Sequence, residues 1–180
     1  MTGITPQATQ TDGLTEAEFA RLLTEEVFIP DTIAVGFNNV RFDDEFVRHL
    51  FWRTFRDPYE WCWKEGCSRW DLLDVVRMTR ALRPEGIEWP IDDEGRPTNR
   101  LELLTKANGI DHGKAHDALS DVEALIDVAR LLKEKQPRLY GYLLNIRDKK
   151  KVKELVNLDD KQPFVYTSGR YAAEWDKTTV

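Results

Sequence analysis

The stretch His116-Asp117-Ala118-Leu119-Ser120-Asp121 opens the most regular amphipathic pattern in the chain, and it constrains the fold more than any other segment. From Ala118 onward, Val122, Leu125, Ile126, Val128, Ala129 and Leu132 recur at helical spacing, a stripe that should face a core. Asp121 lies in that stripe, three residues after Ala118 and four before Leu125, so helical geometry aims its carboxylate with the buried side chains. Taking a carboxylate out of water costs on the order of several kcal/mol unless a metal, a cation or a raised pKa compensates. His116 comes five residues earlier, about 140° further round a helix that turns about 100° per residue. On the loop or first turn before the helix, it can lean over Asp121 as a general base acts on water near a metal. The same pair also fits a half-exposed or paired acid beside a helix-start histidine, so other residues have to decide.

The 180 residues, 41% of them hydrophobic, suffice for one ordinary domain with its own core. Residues 1–14 have no apolar period and read as a loop; Thr15 to Val27 reads as an amphipathic helix with Thr15 as N-cap and Glu18 as its capping-box partner. After Pro30, Ile33-Ala34-Val35-Gly36-Phe37 has the composition of a short buried strand, and Asn38-Asn39 turns the chain. A helical pattern from Phe42 to Phe55 follows, with Phe42, Phe46, Val47, Leu50, Phe51 and Phe55 on one side. Asp43, Asp44 and Glu45 crowd its first turn, where acids are favoured by the helix dipole alone. A strand, a turn and then an Asp at the mouth of a helix also places Asp43 at the carboxyl edge of a sheet, where open α/β folds carry their sites.

Tyr59, Trp61, Trp63 and Trp70 are interleaved with Arg53, Arg56, Lys64 and Arg69. Rings beside cations suit stacking on unpaired bases, and Tyr59 and Trp63 are the candidates; tryptophans also pack cores and loops. Ser68 to Leu82 reads as a helix with Arg77, Arg80 and Arg83 along one side, and residues 84–97, with three prolines and two glycines, as a long loop. Asn99 and Glu102 fit a capping pair for a helix that Gly109 closes. A last helical region from Pro137 to about Leu158 carries Lys149-Lys150-Lys151 and Lys153, and Phe164-Val165-Tyr166 has strand composition.

The formal charge of −6 argues against a blanket positive field for nucleic acid, so any strand must be held by local groups. Cys62 and Cys67 have no second Cys or His cluster nearby, which reads as two reduced thiols and no zinc site. No apolar run approaches the roughly 20 residues of a membrane span, and a soluble, cytoplasmic protein is expected.

Five blocks, GFNNVRFDDEF (36–46), SRWDLLDVVR (68–77), ALRPEGIEWP (81–90), RLELLTKANGI (100–110) and AHDALSDV (115–122), together resemble the bacterial exodeoxyribonuclease I family. That family belongs to the ribonuclease H-like 3′-to-5′ exonuclease superfamily with a histidine in its third motif, and the likeness runs over roughly residues 2–170. The resemblance implies an α/β fold with a mixed sheet flanked by helices, and magnesium ions, a pair replaceable by Mn²⁺, held by four acids. It implies release of 5′-nucleotides from single-stranded DNA in repair and recombination, and single-stranded-DNA-binding protein as a partner. By position, Asp43 and Asp121 match metal-ligating acids, His116 the general base and Arg100 a substrate-contacting arginine. Arg48, Tyr59, Trp63, Arg77 and Lys149 are the further candidates for DNA contact. The family's first motif, an Asp-x-Glu pair on a strand, has no counterpart in this sequence. The chain is therefore expected to be a middle piece of such an enzyme, its sheet incomplete at the N-terminus and the chain by itself inactive. Residues 1–162 would be a partial exonuclease domain and 163–180 the start of an SH3-like domain or a loose tail. The competing expectations are a related nuclease acting on RNA ends and a single-strand-binding or scaffold fragment without catalysis.

Overall fold

The computed structural model describes residues 4–110, 118–157 and 159–166. The chain divides into two compact units, Met1–Trp70 and Asp71–Val180.

The first unit begins with a helix where the sequence reads as a loop, α1 (Pro6–Asp12). Thr5 caps it by accepting from the Ala8 amide, and Pro6 sits at a first-turn position where its missing N–H costs nothing. Because α1 buries no residue, no apolar period marks it in the sequence. In α2 (Glu16–Leu22) the expected capping box is present in both directions, and a π-helical turn carries the chain on to Val27. The strand β1 (Ile33–Gly36) pairs with β2 (Ser68–Asp71) in a two-stranded sheet. β1 is not the fully buried strand expected, since Val35 is 44% exposed. The start of the expected 68–82 helix is instead strand, ending where Asp71 takes over as a helix cap.

Helix α3 (Asp43–Arg53) packs against α2 and buries Asp44, Leu50 and Phe51. The expected aromatic stripe splits, because Phe42 and Phe46 remain 59% and 63% exposed and Phe55 is fully exposed. Phe55 adopts a left-handed conformation, φ 57°, in which its N–H bonds to the Trp52 carbonyl and the Arg56 N–H to that of Phe51. This double closure is normally made by glycine, and it throws the Phe55 ring into solvent. The core of the unit joins Ala20, Leu23, Leu50, Phe51 and Trp61.

In the second unit, the Asp71 side chain accepts from the Leu73 amide to start α4 (Leu72–Leu82). The long 84–97 loop is present and is organised by Arg80, which donates to the carbonyls of Pro90 and Thr98 and to Asn99 Oδ1 and lies over the Trp89 ring. Asn99 is thus occupied in the loop and does not cap α5 (Leu101–Ala107), whose N-cap is Arg100. Gly109 ends α5 as expected, at φ 66°, with the Ile110 N–H reaching back to Thr105. Helix α6 (Ala118–Lys135) packs on α4, α5 and α7 (Pro137–Asn145) and buries Ala124, Val128 and Leu132. Val122 and Ile126, expected in the core stripe, are 52% and 42% exposed. Asp148 caps a separate short helix, α8 (Lys149–Leu155), which breaks the expected last helical region in two. Phe164-Val165-Tyr166 is exposed and forms no strand among the described residues. No helix among them is long and apolar enough to cross a membrane.

Candidate active site and strand-binding residues

Asp43 and Asp44 are neighbours in the first turn of α3, yet they occupy opposite environments. Asp44 is 2% exposed, and both of its oxygens are engaged. Oδ1 accepts from Asn39 Nδ2 at 3.2 Å and Oδ2 pairs with Arg69 of β2. Asp43 is exposed, and no ion pair or side-chain hydrogen bond holds its carboxylate among the described residues. The helical register explains the division: stepping back from Phe51 and Val47 on the packed face lands on Asp44, while Asp43 falls with the open Phe46.

Asp121 lies in the first turn of α6 and is half-buried. It stands three and seven residues before the buried Ala124 and Val128, which is the inward-leaning line its spacing predicts. His116 lies outside the described residues. Among those described, no three His, Cys, Asp or Glu side chains cluster as a metal-ligand set. The chemistry of Asp43 and Asp121 still fits a hard divalent cation, since each brings an anionic oxygen donor near the start of a helix.

Of the aromatic residues, the two chosen as stacking candidates are open, Tyr59 at 54% and Trp63 at 64% exposure, whereas Trp61 and Trp70 are core residues. The Arg48 guanidinium lies 5.2 Å from the Tyr59 ring centroid and pairs with Glu45, so these two candidates form one surface feature. In the second unit Arg100 is exposed at the N-cap of α5 and Lys149 is exposed in the first turn of α8. Arg77 departs from the solvated basic side that its spacing suggests: it is 3% exposed and its guanidinium pairs with Asp74 at 2.8 Å. Cys67 is buried and Cys62 half-buried, both as free thiols, and burial pushes the Cys62 thiol above its ordinary pKa.

A cavity of about 400 Å³ lies in the first unit, over Phe28, Phe51 and Trp61. Of its three acids, Asp57 is committed to the amides of Tyr59 and Glu60, Glu60 to Lys64, and Glu65 is exposed. None of the candidate site residues lines it. The sequence reading missed Asn39, Asp44 and Arg69 as a connected group, although the 44, 47, 51 spacing carried the signal for Asp44.

Comparison with known proteins bears on these residues. The RNase_T family, described as exonuclease, matches residues 1–129. Over 173 residues the chain is 51% identical to exodeoxyribonuclease I of Escherichia coli strain K12, an alignment covering 96% of this chain and 36% of that protein. The crystal structure of E. coli exonuclease I in complex with a dA16 oligonucleotide matches with a TM-score of 0.92 at 50% identity, over 99% of this chain and 38% of that one. An ExoI/SSB-Ct complex matches with a TM-score of 0.91 at 50% identity and the same coverage. The chain spans little more than a third of the length of these relatives. Its α/β architecture is that of the ribonuclease H-like exonucleases, and the chain belongs to the exonuclease family.

Proposed function

We propose that the chain forms part of the catalytic domain of a metal-dependent 3′-to-5′ exonuclease that shortens single-stranded DNA to 5′-mononucleotides. The observation that carries this reading is the division of labour at the start of α3, where Asp44 is buried in an ion pair and Asp43 is exposed and carries no ion pair or side-chain hydrogen bond among the described residues. Asp43 and Asp121 would each give a carboxylate oxygen to divalent metal, Mg²⁺ or Mn²⁺, of which the superfamily uses a pair. A divalent metal held there would supply Lewis acidity at the scissile phosphate and charge stabilisation for the departing 3′ oxygen. His116 takes the proton from the attacking water as general base. Tyr59 and Trp63 stack on unpaired bases, and Arg48, Arg100 and Lys149 meet phosphates. Arg77, expected from its spacing to contact DNA, is withdrawn from that set, because its guanidinium is buried against Asp74; its loss should lower stability.

The dA16 oligonucleotide bound to the E. coli relative supports a single strand as substrate, and the ExoI/SSB-Ct complex supports single-stranded-DNA-binding protein as a partner. That substrate supports a role in DNA repair and recombination. The experiment that tests the assignment separates metal binding from proton transfer, in a version of the protein extended to the length of its relatives. Asp121→Ala should abolish Mg²⁺-dependent release of nucleotides from a 3′-labelled oligonucleotide and weaken Mn²⁺ binding. His116→Ala should lower the rate by about 100-fold or more and leave Mn²⁺ affinity nearly intact. Equal loss of Mn²⁺ binding in both variants would overturn the role given to His116.

A further inference from the structure

We propose that Asp44, Arg69 and Asn39 are positioning residues for Asp43: they clamp the first turn of α3 to the sheet and fix where the Asp43 carboxylate is presented. The inference rests on the reading of Asp43 as a metal ligand. It starts from a deficiency, because the N-cap residue of α3, Phe42, supplies no side-chain hydrogen bond to the open amides of the first turn. An uncapped helix start frays, and a carboxylate on it samples many positions. Asp44 replaces the missing cap with two side-chain ties from different elements. Asn39, 4% exposed in the turn that follows β1, donates to Oδ1, and Arg69 on β2 holds Oδ2. The turn itself is closely packed, since a Cβ on Gly36 would lie 2.5 Å from Asn39 Cβ. The chain thus runs from the end of β1 through a fixed turn into a helix whose second residue is bound to both the turn and the neighbouring strand. Asp43, one peptide unit before that anchor, is restrained without being touched.

A purely electrostatic role for the Asp44–Arg69 pair makes a different prediction, and the sign separates the two. If the pair acted on a cation only through its field, removing the negative charge would weaken Mn²⁺ binding and removing the positive charge would strengthen it. If it acts by position, both removals weaken binding. The experiment titrates MnCl₂ into the isotopically labelled chain and follows paramagnetic broadening of the α3 first-turn amides by NMR, well below the melting temperature of each variant. Asp44→Asn and Arg69→Met should each raise the Mn²⁺ concentration for half-broadening about tenfold, while Arg69→Lys stays close to the parent. Asn39→Ala leaves both charges in place and should shift the midpoint in the same direction by less; it carries the test if Arg69→Met does not fold. Tighter Mn²⁺ binding in Arg69→Met, or an unchanged midpoint in Asp44→Asn and Asn39→Ala, overturns the positioning role. Broadening in the parent chain that is unaltered by Asp43→Asn overturns the reading of Asp43 itself, and the inference falls with it.

Discussion

Trp61 and Trp63 stand two positions apart with 6% and 64% of their surfaces exposed. The Trp61 ring packs 4.9 Å from Phe28 and its indole N–H donates to the Pro58 carbonyl, so Trp61→Ala should cost about 3–5 kcal/mol of folding stability. Trp63→Ala should leave the melting temperature almost unchanged and weaken single-strand binding by about 1–3 kcal/mol. Thermal unfolding and fluorescence anisotropy with an unlabelled competitor would check the pair. Unchanged affinity in the Trp63 variant would make that ring a bystander. Alternation of rings and cations does not tell an open ring from a packed one: Tyr59 and Trp63 are exposed, while Trp61 and Trp70 in the same run are buried. The burial of Arg77 was not legible either. Helical spacing groups it with Arg80 and Arg83, but only the packed structure reveals that Asp74 neutralises it under the surface and that Arg80 is spent on the 84–99 loop.

Helix ends separate what a sequence can and cannot announce at the level of elements. Gly109 marks its helix end openly, while α3 makes the same closure with Phe55, a residue that carries no such signal. The two positions should respond oppositely to substitution. Gly109→Ala meets no atom of the described residues within 4 Å, so the cost expected is that of the left-handed backbone, about 1–2 kcal/mol. Phe55→Gly relieves that strain and sacrifices no packing, because the ring is 100% exposed; chemical denaturation should show a gain of up to about 1 kcal/mol. A loss of stability there would mean that the ring makes a contact in solution. Elements that bury a face were readable from their period, as α2 and α6 were, and α1 was missed because nothing in it is buried. The strand β2 was absorbed into the helix after it because Trp70 and the following apolar residues continue one another without a break, and only the Asp71 cap divides them.

At the scale of the whole molecule, charge decides how a strand can be held. With 32 acidic and 26 basic side chains, the chain offers a single strand a repulsive average and a few local cations. On the proposed reading, Asp43 and Asp121 would bring two negative charges against the four positive ones of a metal pair, so ions held by these acids alone would keep most of their water and bind weakly. Binding and hydrolysis should therefore come apart in the 180-residue chain. Nucleotide release in Mg²⁺ should stay near background, while affinity for a single strand, which on the proposed reading would rest on rings and cations, should survive EDTA. The salt dependence gives the number of cations engaged. Each phosphate contact on a single strand contributes about −0.7 to the slope of log K against log salt, so Arg48, Arg100 and Lys149 predict about −2. Anisotropy titrations with an oligothymidylate at several salt concentrations in EDTA measure that slope. A value near about −4 would require the remaining lysines of α8 to join in, and would show that the strand follows a basic surface in place of the ring-centred path argued for Tyr59 and Trp63.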